Sequence, residues 1–241
     1  MVAVNSGTSP ASVSSYAKKN RITLPIIADV DRSMEAAAMV GEISLKNIFQ
    51  ARILVADGTV KRGNPTKLDE AMQTAASGAA WNIDPAEIPQ SMKALWQSIE
   101  FGSYAAGAKQ IKRFLNSRKP DEKAAAGKLN DYIQKQLESR LAVAEGNREK
   151  EPWMAWKQFS QIAVMFKGYE LPDTIEKTLA ELGKNEAVTS EQAALKMLDS
   201  ARKAASGSAA ARKRAVRTLK KLIEKYPDTE AATNAERLLG G

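Results

Sequence analysis

The apolar positions of the chain repeat with two different rhythms, and the change falls near residue 80. Up to there, short apolar runs alternate with helical patterns. Val2-Ala3-Val4 is a β-prone run that stops at the turn residues Asn5-Ser6-Gly7. Ser9 is placed to cap a helix that begins at Pro10, with Val13, Tyr16 and Ala17 on one face. Leu24-Pro25-Ile26-Ile27-Ala28-Asp29 reads as extended, because proline keeps the residue before it out of the helical region. Met34 to Val40 predicts a short helix closed by Gly41. Ala51 to Ala56 is the clearest strand, followed by the hairpin turn Asp57-Gly58, a second strand Thr59 to Arg62, and a closing helix from Pro65 to Ala76.

Beyond residue 80 hardly a strand candidate remains. Helical patterns fall at about 86–99, 103–116, 121–145, 152–166, 173–182, 190–205, 209–225 and 228–239, separated by short breaks such as Gly102, Lys119-Pro120, Gly168, Ser206-Gly207 and Tyr226-Pro227-Asp228. Amphipathic helices in this order predict antiparallel pairs stacked as a helical repeat. The expected organisation is an α/β region over 1–80 and an all-α helical-repeat region over 81–241.

Composition sharpens this picture. Aromatics are sparse at 6% and alanine is abundant, which favours closely packed helices over a β-sandwich. The chain has no cysteine and no histidine. Disulfides, thiolate nucleophiles and cysteine metal sites are therefore excluded for the chain as given, along with the commonest general base near neutral pH. No cofactor is expected, and the balance leans away from an enzyme. No apolar run approaches the ~20 residues of a membrane span. The opening residues, MVAVNSGTSP, have neither the basic region nor the apolar stretch of a signal peptide.

Residues 1–76 resemble the later part of a thioredoxin-like domain of the thiol–disulfide reductase and peroxiredoxin type. The resemblance rests on Val2-Ala3-Val4-Asn5, Tyr16 to Ile22, Leu24-Pro25-Ile26-Ile27-Ala28-Asp29, and Ile53-Leu54-Val55-Ala56-Asp57-Gly58, in that order. It implies a partial thioredoxin-like domain over 1–80 that lacks the family's first strand and cysteine-bearing helix. It also implies a cis-proline near Phe49, where Asn47-Ile48-Phe49-Gln50 stands instead. Met1 is thus expected to be an internal methionine of a longer chain, or the domain to be degenerate, and the missing proline favours degeneration. The resemblance further implies an extracytoplasmic (periplasmic or secreted) location. The region from about 90 to 239 resembles tetratricopeptide-type repeats, most clearly from Ala215 through Leu219 and Leu222 to Pro227, with Asp228 placed to cap the next helix. Looser units are Gly102-Ser103-Tyr104 with Ala108, and Ala155 with Phe159 and Ile162 ending at Gly168.

Two sets of residues are candidates for partner binding. Residues 201–225 hold nine Lys and Arg, among them Arg212, Lys213, Arg214, Arg217, Lys220 and Lys221, against Glu224 alone. Such a stretch suits phosphates or an acidic partner, although a solvated helix face is its commoner use, with Val216, Leu219, Leu222 and Ile223 expected as the buried stripe. Trp153 and Trp156, with Phe159, sit at helical spacing and suit a peptide groove, although packing between helices is commoner. Asp29, Asp31 and Asp57 lack the glycine and glutamate of a calcium loop, and Ser6-Gly7-Thr8-Ser9 lacks the lysine of a P-loop. The expected function is a non-catalytic module that binds a protein or peptide through its repeats. The alternatives are the back end of a thiol–disulfide oxidoreductase or peroxiredoxin with its catalytic segment upstream of Met1, and nucleic-acid or anionic-partner binding through 201–225.

Overall fold

The computed structural model describes residues 3–6, 8–23, 26–30, 32–40, 51–55, 59–64, 66–205 and 207–240. The chain divides into two compact units, 1–80 and 81–241. Pro25, Asp31, the stretch Asn47-Ile48-Phe49-Gln50 and the Asp57-Gly58 turn lie outside the described residues.

In the first unit, β1 (Ala3–Ser6) runs parallel to β2 (Ile26–Asp29), with Ala3 opposite Ile26 and Ser6 opposite Asp29. A parallel pair needs a crossover, and α1 (Pro10–Lys19) supplies it. Ser9 caps this helix by accepting from the Ser12 amide at 3.3 Å, as the sequence predicts. Val13 is buried and Ala17 half-buried, but Tyr16 is 63% exposed, because it sits a step around the helix from the face that meets β2. Asp29, at the end of β2, is only 4% exposed. Its carboxylate accepts from the amides of Met34 at 3.1 Å and Glu35 at 2.9 Å, so it caps the short helix α2 (Ser33–Ala37) across a turn. The hairpin β3 (Ala51–Leu54) and β4 (Val60–Gly63) is antiparallel, and α3 (Leu68–Ala76) follows it. Arg52 ties β3 to the end of α2 through the carbonyls of Ala38 and Met39.

The second unit is helical among its described residues. The pattern at 86–99 resolves into 3-10 turns at Pro85–Glu87 and Gln90–Met92 and then α4 (Lys93–Glu100), because Pro89 interrupts the first turn of a continuous helix. Then follow α5 (Tyr104–Leu115), α6 (Pro120–Asn147), α7 (Pro152–Met165), α8 (Thr174–Leu182), α9 (Glu186–Ala205), α10 (Ala209–Lys225) and α11 (Glu230–Gly240). Helix α9 starts four residues earlier than its apolar pattern, since Asn185 accepts from the Ala187 amide at 2.9 Å and Val188 is already buried. Packing runs mainly from neighbour to neighbour: α4 on α5, α5 on α6, α6 on α7, α7 on α8, α9 on α10 and α10 on α11, with α7 and α11 also against α9. Contacts between sequence neighbours are what stacked helix pairs produce.

Two cores result. The larger spans α4 to α8 and contains Trp96, Ile111, Leu129, Ile133, Phe159 and Phe166. Tyr104 stacks on Phe166 with ring centres 4.9 Å apart. After α7 the chain turns at Gly168 with φ +96°, and a Cβ there would stand 2.9 Å from that of Ala108. Only glycine meets both demands. The smaller core lies among α9, α10 and α11 and is built largely of alanines, Ala194, Ala201, Ala215, Ala231, Ala232 and Ala235, with Leu198 and Leu222.

Capping in the smaller core differs from the sequence expectation. Asp228 does not cap α11. Thr229 does, accepting from the Ala232 amide at 3.0 Å while donating to the Tyr226 carbonyl at 2.7 Å. Thr229 is the residue turned inward and buried, so its hydroxyl lies where the free amides point. The two amides before that of Ala232 go to a different helix. Glu191 of α9, 3% exposed, accepts from Glu230 and Ala231, each at 2.8 Å. A carboxylate at a helix N-terminus meets both unpaired donors and the positive end of the dipole.

Candidate interaction surfaces

The rotation of α10 decides where its cations point. Ser208 starts the helix by accepting from the Ala211 amide at 3.3 Å, and Ala215, Leu219 and Leu222 are buried against the neighbouring helices. With that stripe inward, Arg212, Lys213, Arg214, Arg217, Lys220 and Lys221 are all exposed. None of the six forms an ion pair among the described residues, although Arg212 donates to the Gly207 carbonyl at 2.9 Å. Elsewhere in the unit cations do find carboxylates: Lys119 with Glu122, Lys128 with Glu87, and Arg148 with Glu145 and Glu181.

Trp153 and Trp156 lie on α7 and stack on each other, ring centres 5.5 Å apart and planes within 10°. Both are half-buried, and Trp156 packs on the larger core. Lys157 stands over the Trp153 ring at 5.3 Å and reaches both carboxylate oxygens of Glu230 on α11 at 2.8 Å. Burial pushes the Glu230 carboxyl up, but the Lys157 ammonium brings it below the usual carboxylate range. This pair of rings therefore sits where α7 is tied to α11, the packing use of the stripe.

A cleft that no local pattern announces opens among α6, α7 and α8. It measures about 540 Å³. Leu141 and Phe159 lie at its base, Ala142 and Pro172 add apolar surface at its exposed edge, and Glu145, Arg148, Lys177 and Glu181 line it with charge. Arg148 is fixed across the rim by Glu145 at 3.0 Å and Glu181 at 2.5 Å. Its residues come from α6, α7 and α8 and from the segments just after α6 and before α8, and apart from Phe159 they stand at positions that read as ordinary surface. Neither Trp153 and Trp156 nor the α10 cations line it.

No protein-family model matches the chain, and neither a curated protein nor a solved structure does. Among the described residues, no helix is long and apolar enough to cross a membrane.

Proposed function

We propose that the protein is a non-catalytic interaction module, a partial thioredoxin-like unit followed by a tetratricopeptide-like helical unit that binds a peptide segment of a partner. The observation that carries this reading is the cleft among α6, α7 and α8. An apolar floor with a few fixed charges is the composition that ligand sites use to combine affinity with orientation. The rim offers both signs, so a peptide with one apolar anchor flanked by charged residues fits it. Neighbour-to-neighbour helix packing supports the repeat assignment. The absence of cysteine and histidine removes thiol chemistry from the chain itself.

Peptide display against the full chain tests the reading. Selected peptides are expected to share an apolar anchor and to lose at least about tenfold in affinity with Ala142→Glu, which fills an exposed edge of the cleft with charge. Selected peptides that bind this variant unchanged would place the site elsewhere. A second reading, the back part of a thiol–disulfide reductase or peroxiredoxin, is favoured by the element order of the first unit: a parallel β1–α1–β2 crossover, then the β3–β4 hairpin and α3. An in-frame cysteine motif in the DNA upstream of the Met1 codon would replace the first reading with this one.

A further inference from the structure

The chain carries 36 Lys and Arg against 28 Asp and Glu. Residues 201–225 contribute nine of those cations and one carboxylate, which leaves 27 of each sign for all the rest. The whole net charge of +8 thus belongs to 25 residues, the end of α9 and all of α10. Helix α10 is about 25 Å long at 1.5 Å per residue. Its buried stripe forces Lys213, Arg217, Lys220, Lys221 and Arg214 onto one exposed arc, with Glu224 the single carboxylate of that helix. Such an array repels itself and lowers the stability of the free protein, so a polyanion that neutralises it gains on both counts.

We propose that this outward face of α10 docks on the phosphate backbone of duplex nucleic acid, without sequence preference. Along 25 Å a duplex presents about fifteen phosphates, enough for every cation on the arc. The other polyanionic partners fit less well. A protein interface wants an apolar, aromatic centre and is poor in lysine, whereas the arc is lysine-rich and offers only Val216, 43% exposed. A membrane surface wants a free apolar face, and here that face is occupied by Ala215, Leu219 and Leu222. A single strand wants stacking aromatics, and residues 201–225 hold none; the next ring along the chain, Tyr226, is half-buried under Lys225.

The test is fluorescence anisotropy of a labelled DNA duplex of about 20 base pairs with the full chain, over about 50 to 200 mM salt. The unaltered protein is expected to bind, with affinity falling on the order of 100-fold across that range. Reversing Arg217→Glu, Lys220→Glu and Lys221→Glu together should weaken binding at least about 30-fold and flatten the logarithmic salt slope by about 3. A control reversing Lys109→Glu, Lys112→Glu and Lys123→Glu, all exposed on other helices, makes the same change in net charge and should cost under about threefold. Circular dichroism confirms that both variants are folded. The proposal falls if the duplex is not bound, if both triple variants lose equally, or if poly-glutamate, phosphatidylglycerol vesicles or the single strand binds more tightly than the duplex.

Discussion

Between α4 and α8 the helices are held apart by large side chains such as Phe166, Ile133 and Trp96, whereas among α9, α10 and α11 alanines bring the backbones close. Burying a large apolar side chain contributes about 1.5–3 kcal/mol, and an alanine methyl far less. The first core therefore owes its stability to buried area. The second gains less from area and leans on directional contacts: the Glu191 cap, the Thr229 cap and the Lys157–Glu230 pair. The same small core carries the cationic face of α10, whose self-repulsion works against it. One all-helical unit thus holds a part built on buried area and a part whose stability responds to charge.

Three experiments sharpen or break that contrast. The largest effect is expected from Phe166→Ala in the area-built core, about 4 kcal/mol in urea unfolding, since it removes a fully buried ring stacked on Tyr104. Next comes Glu191→Ala, about 3 kcal/mol, because one buried and one partly buried amide of α11 lose a charged acceptor. Glu191→Gln should cost about 1 kcal/mol, as the amide oxygen still accepts one bond. If Glu191→Ala were neutral, the small core would not depend on its cap.

The third concerns acid. Glu122, at the start of α6, accepts from the hydroxyl of Ser117 at 2.8 Å, from Lys119 at 3.1 Å and from the Ser91 hydroxyl at 2.9 Å. These bonds hold its carboxyl below the usual glutamate range. A folded-state value below the unfolded one stabilises the protein at pH above the ordinary glutamate range, and that stabilisation is lost as pH falls through the lower, folded value. Urea midpoints followed downward in pH should fall across this window, and less steeply for Glu122→Gln. Identical slopes would show that the carboxyl adds no pH dependence.

The sequence carried the helices well where one local signal decides them. Pro120 and Pro152 open α6 and α7, and Leu219 and Leu222 fix which side of α10 is wet, although of the other apolar residues expected in that stripe Ile223 is only half-buried and Val216 is 43% exposed, its place taken by Ala215. The exposure of Arg212 to Lys221 followed from that stripe. What was not legible came from partners distant in sequence. Glu191 sits in the buried stripe of α9 between Val188 and Ala194, and a charge at such a position signals a missing partner, yet only the fold supplies α11 as that partner. Asp228 looked like the cap because its side chain suits the role, but the chain turns Thr229 inward instead. The α6–α7–α8 cleft had little local signal, since of the apolar residues that line it only Phe159 stands out in the sequence, while Leu141 and Pro172 come from distant segments.

Helices α9, α10 and α11 are argued to form a separately yielding part, and its cationic face is the one proposed to bind duplex phosphate. Hydrogen exchange of the full chain with and without a saturating duplex tests it most directly. Binding stabilises whatever unfolds with the site, in proportion to ligand over dissociation constant. Amides in Glu186–Ala205, Ala209–Lys225 and Glu230–Gly240 are expected to slow by about tenfold or more with duplex, while amides of α4 to α8 that exchange through local openings do not change. Equal slowing throughout the helical unit, or slowing confined to α4–α8, would contradict it.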